Sequence, residues 1–305
     1  MSDDILIPFL LLTILGTYLV YSVFFSPHGI LRKQSFKLCK SKYYFEAINT
    51  LEQLLKILPY YSPAWFYRGL LLSATEQYIE AVESYNTAIK YGANYNYNFR
   101  SKVWYNKGLA LYEIKNYHDC IANYDLAFQT PGFGLLLVGR SFFYRIWYHR
   151  GLALHKLENY TEAIHNYDRA SKQHLYPLWS GIDRCVFNFR SYEKILAKNN
   201  PSLKQKPDIY SVWKSKSLAL YELERYEEAI NYLDLILQER SNYHYCFYYK
   251  ARCYARLEKI DMVLENLQQS LYINQGKYQE QIKIDSAFDA LRKNRQFKNL
   301  LKRFE

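Results

Sequence analysis

Two stretches of the chain carry nearly the same text: WYNKGLALYEIKNYHDCIANYDLA from Trp104 to Ala127, and WYHRGLALHKLENYTEAIHNYDRA from Trp147 to Ala170. The Trp, Gly, Leu and Ala positions are kept while the charged ones drift, so the repeated information concerns packing rather than a reactive group. Trp104, Lys107, Gly108 and Leu111 fall on one stripe of a helix, and Cys120, Tyr124 and Ala127 make a second stripe after a turn near Asn116. The spacing predicts two antiparallel helices. Gly108 and Cys120 let them approach closely, and Trp104 and Tyr124 fill the space beside them. One hairpin cannot bury both stripes, whereas a row of hairpins buries a continuous core, which explains the recurrence.

Further copies extend the row. Trp65, Gly69, Leu72, Ala81, Tyr85 and Ala88 make one beginning near Ser62, and Trp147, Gly151, Leu154, Ala163, Tyr167 and Ala170 make one beginning near Tyr144. Weaker copies begin near His28 (Leu38, Ala47, Leu51, Leu54, Pro59), Tyr210 (Trp213, Leu220, Ala229, Leu233, with Ser217 in place of Gly) and His244 (Ala251, Tyr254, Val263, Leu267). A Trp, a Gly and a Leu at helical spacing, followed by small, aromatic and small residues over about 34 positions, resembles the tetratricopeptide repeat family. The resemblance implies an all-α fold, an α-solenoid in which helical hairpins form a right-handed superhelix. Its repeats are expected at 28–61, 62–95, 101–134, 144–177, 210–243 and 244–277. The wording of WYNKGLALYEIKNY is similar to repeats of cyanobacterial and plastid tetratricopeptide proteins, some of them membrane-anchored assembly factors. Residues 178–209 break the period, as a degenerate repeat or as an insert with a helix around Asp183 to Lys198 followed by NNPSLKQKPD. The tail 278–305 places Phe288, Leu291, Phe297, Leu300, Leu301 and Phe304 at helical spacings between basic residues, as helices capping the array do.

The chain's beginning reads differently. Ile5 to Phe25 contains no charged residue, and as a helix it would span about 30 Å, the thickness of a bilayer core. A single N-terminal transmembrane helix within an anchor at 1–27 is expected. Asp3 and Asp4 precede this run, while Arg32, Lys33, Lys37, Lys40 and Lys42 follow it, so the positive-inside bias puts the N terminus outside and the repeats on the cytoplasmic side. The same basic run suits anionic headgroups.

Composition narrows the function classes. Tyr occurs 33 times against 11 Gly and 8 Pro, which disfavours a loop-rich β protein. Five Cys with irregular spacing do not make a secreted disulfide framework and read as reduced core thiols. A net charge of +11 favours acidic partners. No zinc-type His/Cys set and no primed general base is visible, so neither metal nor cofactor nor enzymatic activity is expected. The segment Gly134 to Ser141 has P-loop spacing with Arg140 in the Lys position, but it follows a helix and is filled with bulky apolar residues, unlike a phosphate loop.

The working surface is then the inner face of the first helices. The family resemblance implies a groove lined by Lys102, Tyr105, Asn106, Tyr112, Arg145, Tyr148, His149, His155, Lys214, Tyr248 and Arg252. Such an aromatic and basic lining suits an acidic protein segment with hydrophobic anchors. The two-carboxylate clamp of chaperone-binding members is not expected, because Phe66 and Leu70 stand where its first Lys and Asn belong. The expected function is a membrane-tethered scaffold that binds a partner protein and assists assembly of a membrane complex. RNA binding is the competing expectation, since Tyr and Arg on helical repeats can stack bases and neutralise phosphates.

Overall fold

Each apolar-periodic run forms a helix, and the residues that end one helix also start the next. The structure is a computed structural model and describes residues 27–95, 97–129, 140–174 and 208–304. The described elements are α1 (Pro27–Lys40), α2 (Tyr44–Ile57), α3 (Ser62–Ala74), α4 (Tyr78–Tyr91), α5 (Tyr97–Glu113), α6 (Tyr117–Phe128), α7 (Arg140–Lys156), α8 (Tyr160–His174), α9 (Ile209–Glu222), α10 (Tyr226–Glu239), α11 (His244–Arg256), α12 (Ile260–Ile284) and α13 (Arg295–Lys302), with a 3₁₀ turn at Ser286–Leu291 before the last. No strand occurs among the described residues. The helices fall into two compact units, α1–α6 and α7–α13. The predicted span at Ile5–Phe25, the segment Phe133–Val138 with most of the P-loop-like spacing, and nearly all of 178–209 lie outside the described residues. Among those described, no helix is long and apolar enough to cross a membrane.

Every hairpin turns by the same five-residue device. Lys42, Glu76, Lys115, Glu158, Glu224 and Glu258 have φ between 55 and 67°, the left-handed region, two residues before α2, α4, α6, α8, α10 and α12 respectively. The amide after each reaches back to close the preceding helix, as Gln77 N–H to Leu72 O (2.9 Å) and Asn116 N–H to Leu111 O (2.9 Å). This is a Schellman closure, in which the left-handed residue frees the chain to reverse while the last carbonyls keep partners. The residue that makes the reach-back bond then accepts the first bond of the next helix, as Gln77 O from Ala81 N–H (3.0 Å). None of the six is Gly, so each costs about 1–2 kcal/mol of backbone strain that the paired helices must offset.

The hairpins close over one size-matched pair. A Cβ added at Gly69, Gly108 or Gly151 would come within 2.5–2.6 Å of the ring of Tyr85, Tyr124 or Tyr167, sixteen residues on. All three rings are fully buried. In the other hairpins the small position is Ser35, Ser217 or Ala251, and the residue sixteen on is Leu51, Leu233 or Leu267, also buried. A Cβ is thus present only where the ring is absent. Directly before the large residue stands a buried polar side chain in most hairpins. Thr50, Ser84, Asn123, Asn166 and Asn266 each donate to the carbonyl four residues back, at 2.7–2.9 Å.

Neighbouring hairpins are also pinned by ion pairs from the residue preceding the small one. Arg68 reaches Glu52 at 2.9 Å, Lys250 reaches Asp234 at 2.7 Å, and Lys216 reaches Asp168. In each case the acid lies on the second helix of the preceding hairpin. The Lys216–Asp168 pair therefore identifies α8 and α9 as direct neighbours in the stack. Lys216 is the most enclosed of these cations and also bonds the Tyr232 hydroxyl at 2.7 Å.

The second unit ends in a further half-repeat. Helix α12 is kinked at Asn274 (φ −151°, ψ 73°), and its last third behaves as the first helix of another hairpin. Tyr278 lies one 34-residue step after His244, bonds it, and stacks on Tyr248 with centroids 4.8 Å apart. Asp285 then ends the helix and caps the 3₁₀ turn, and α13 buries Phe297 and Leu300 with Phe288 and Leu291 in one core. Cys39, Cys120, Cys246 and Cys253 are free and buried, and burial pushes each thiol up to about 12.

Candidate functional site

The expected groove residues do not share one environment. In the first unit Tyr105 and Asn106 are buried, at 1 and 3 % exposure, so they build the wall instead of presenting to a partner. Tyr105 packs on Tyr124 (5.9 Å), and Asn106 donates to the Lys102 carbonyl at 2.8 Å. Tyr112 is half-buried edge-on to Tyr117 (5.4 Å), and Lys102 is half-buried. Phe66 and Leu70, the residues that stand in place of a carboxylate clamp, are core.

In the second unit the expected residues lie on α7, α9 and α11. On α7, His149 is held against the Arg145 carbonyl, with Nδ1 donating at 2.8 Å. Burial lowers its pKa to about 4, the Arg145 charge adding to the effect and the carbonyl bond opposing it, so the ring is a neutral donor at neutral pH. Arg145 keeps its Nε buried without a hydrogen-bond partner. Tyr148 bonds Ser215 on α9, which ties the two helices together. His155 stands apart near the hairpin turn, edge-on to Tyr160 at 5.2 Å.

The centre of the arrangement is a layer of tyrosine rings topped by cations. Lys214 Nζ lies 4.0 Å from the centroid of Tyr245, which is stacked on Tyr249 at 4.2 Å. Arg252 sits 4.5 Å from Tyr221 and 5.0 Å from Tyr249, but its charge is taken by Asp285, 3.1 Å away. Tyr248 is fully buried and donates to the same carboxylate, so it is a support and not a lining residue. Lys277 lies 5.4 Å from the Tyr278 ring, and the Tyr278 hydroxyl is 2.6 Å from His244 Nδ1.

Lys214, His244 and Lys277 therefore converge from α9, α11 and the post-kink part of α12. Burial lowers the pKa of Lys214, and the Lys277 charge lowers it further. Burial also lowers His244, followed by both lysines. Neither lysine has an acidic partner among the described residues. Cations held close to one another favour an incoming anion; Tyr245 and Tyr278 are buried beneath them, and Tyr249 keeps a partly exposed ring beside the site. Sequence reading found Lys214 but not His244, Tyr245, Tyr249 or Lys277. The missing signal was the kink at Asn274, which takes Lys277 from the end of the repeat expected at 244–277, and Tyr278 from the tail, into the first helix of a further hairpin. Among the described residues no group of His, Cys, Asp and Glu is placed to hold a metal ion.

Residues 144–172 match the family model for the tetratricopeptide repeat. No curated protein matches the sequence. Solved structures share the fold at low identity. The C-terminal part of a TPR repeat-containing protein from Cytophaga hutchinsonii is similar with a TM-score of 0.61 and 13 % identity, over 89 % of this chain and 93 % of that one. PilF of Pseudomonas aeruginosa gives 0.54 and 18 %, over 85 % and 99 %. YrrB, a TPR protein with an unusual peptide-binding site, gives 0.51 and 15 %, over 74 % and 93 %. The described helices thus have the all-α hairpin-repeat architecture of tetratricopeptide proteins.

Proposed function

We propose that the chain is a non-enzymatic scaffold which binds a segment of a partner protein through the second unit, and that Ile5–Phe25 tethers it to a membrane whose complexes it helps to assemble. The observation carrying the binding reading is the convergence of Lys214, His244 and Lys277, with no acidic partner for either lysine among the described residues, beside the partly exposed ring of Tyr249. An acidic segment with aromatic or aliphatic side chains fits this chemistry, its carboxylates replacing water around the lysines and an apolar group covering the Tyr249 ring. YrrB supports the reading, since the same kind of fold carries a peptide-binding site there.

The tether reading rests on the uncharged run Ile5–Phe25 and on the acidic residues before it and basic residues after it, which orient the repeats to the cytoplasmic side. A tether raises the effective concentration of the binding wall for membrane clients. The binding test uses the full chain in detergent with a short labelled peptide alternating Glu and Phe, measured by fluorescence anisotropy against its Gln/Phe counterpart. The Glu peptide is expected to bind tighter, and Lys214→Glu with Lys277→Glu to weaken it at least about tenfold, roughly 1.4 kcal/mol. Equal affinity for the two peptides, or no effect of the double variant, overturns the assignment.

A further inference from the structure

The outward face of α1 has a chemistry that the binding wall does not explain. Gly29, Ser35 and Cys39 are buried, and Ser35 Oγ donates to the Ala47 carbonyl at 3.1 Å, so the rotation of the helix about its axis is set by its packing on α2. The opposite face then presents Ile30, Lys33, Lys37 and Lys40, at steps of three and four residues, all exposed. Exposure continues through Ser41 and Lys42 to Tyr43 and Phe45, which are 57 and 64 % exposed. No acidic residue occurs anywhere from Ile5 to Phe45; Glu46 is the first after Asp4. Lys37, Lys40 and Lys42 have no acidic partner among the described residues. Elsewhere in the first unit exposed helix faces mix charge signs, as Glu80, Glu83 and Lys90 do on α4.

We propose that the face running from Ile30 to Phe45 docks on an anionic bilayer surface. Three features select a membrane over other polyanions. The cations are lysines, point charges suited to mobile headgroups, while Arg32, the one side chain here able to make planar bidentate contacts, is only partly exposed. Ile30, Tyr43 and Phe45 supply the apolar and aromatic groups that settle at the headgroup level. The helix also begins two residues after the apolar run Ile5–Phe25, which holds the face at the surface. The proposal draws on the tether reading for that proximity, yet the lysine stripe itself needs no span.

The test places the full chain in nanodiscs of pure phosphatidylcholine and of phosphatidylcholine with phosphatidylserine, and follows amine acylation lysine by lysine. Each lysine brought to an anionic surface gains about fivefold in partition. Lys37, Lys40 and Lys42 are therefore expected to react at least tenfold more slowly on the anionic discs, while the exposed Lys56 and Lys298 react equally on both. Protection should disappear at high salt and weaken in Tyr43→Ser with Phe45→Ser, whose side chains are already solvent-exposed. Equal rates on the two lipids overturn the proposal, as does protection by added RNA instead of by lipid. Failure of the tether reads differently: the chain leaves neutral discs in a high-salt wash, yet still floats with anionic vesicles if the face docks.

Discussion

The two units use the same hairpin and spend their positive charge in opposite places. In the first, the lysines of α1 lie on the outside, and the inner positions Tyr105 and Asn106 are closed into the wall. In the second, Lys214, His244 and Lys277 gather over tyrosine rings on the first helices of successive hairpins, and the enclosed Lys216 is consumed by Asp168 in holding α8 to α9. The contrast teaches that the repeat specifies a scaffold only. Which face does work is decided by whether a cation meets an acid, a ring or open water.

Acid offers the largest way to separate the units. His149 is held near 4 by burial, and a depressed imidazole binds less proton folded than unfolded. Its contribution is fully present above the unfolded value of about 6.5 and is lost as pH falls toward 4, a change of about 3 kcal/mol. Burial also depresses His155 and His244, adding with the same sign. The first unit's described imidazole, His118, is exposed. Hydrogen exchange between pH 7 and pH 4.5 should therefore show α7–α12 opening before α1–α6, and His149→Gln should shrink the gap.

Next in size is the match between small residue and ring. Gly108→Ala drives a Cβ to within 2.6 Å of the Tyr124 ring, which is fully buried and cannot yield. A loss of about 2 kcal/mol in chemical denaturation is expected, with Tyr124→Leu restoring most of it in the double variant. The converse holds in the second unit, where Leu233→Tyr should be tolerated only together with Ser217→Gly. Additive effects in either pair would show that the two positions are not coupled. The smallest effect concerns the turns. Glu224 has φ 59°, so Glu224→Gly relieves strain and should gain about 0.5–1 kcal/mol after the extra chain entropy of Gly is subtracted. Lys42→Gly should do the same in the first unit, and a loss at either site would mean that the side chain makes a contact outweighing the strain.

Much of this was legible in the one-dimensional text. Hairpin positions, the stripe of Gly108 and Tyr124, and the cap formed by Phe288, Phe297 and Leu300 follow from helical periodicity, because a helix can bury only residues spaced to one face. The left-handed turns were not legible, since Lys and Glu there carry no Gly signature. Nor was the neighbour relation of α8 and α9, because spacing cannot tell which helices meet across a broken period; the Lys216–Asp168 contact does. The groove residues suffered from the same blindness. Tyr105, Asn106 and Tyr248 occupy the right register, yet register sets direction and not depth, and neighbouring side chains closed over them.

What the sequence by itself determined is a row of helical hairpins, because recurring small and aromatic residues at helical spacing have no other way to leave water. What only the tertiary structure decided is which charges remain unspent. That depends on distances between residues remote in the chain, such as Lys214 and Lys277, which a kink at Asn274 brings to one place and which no local pattern encodes.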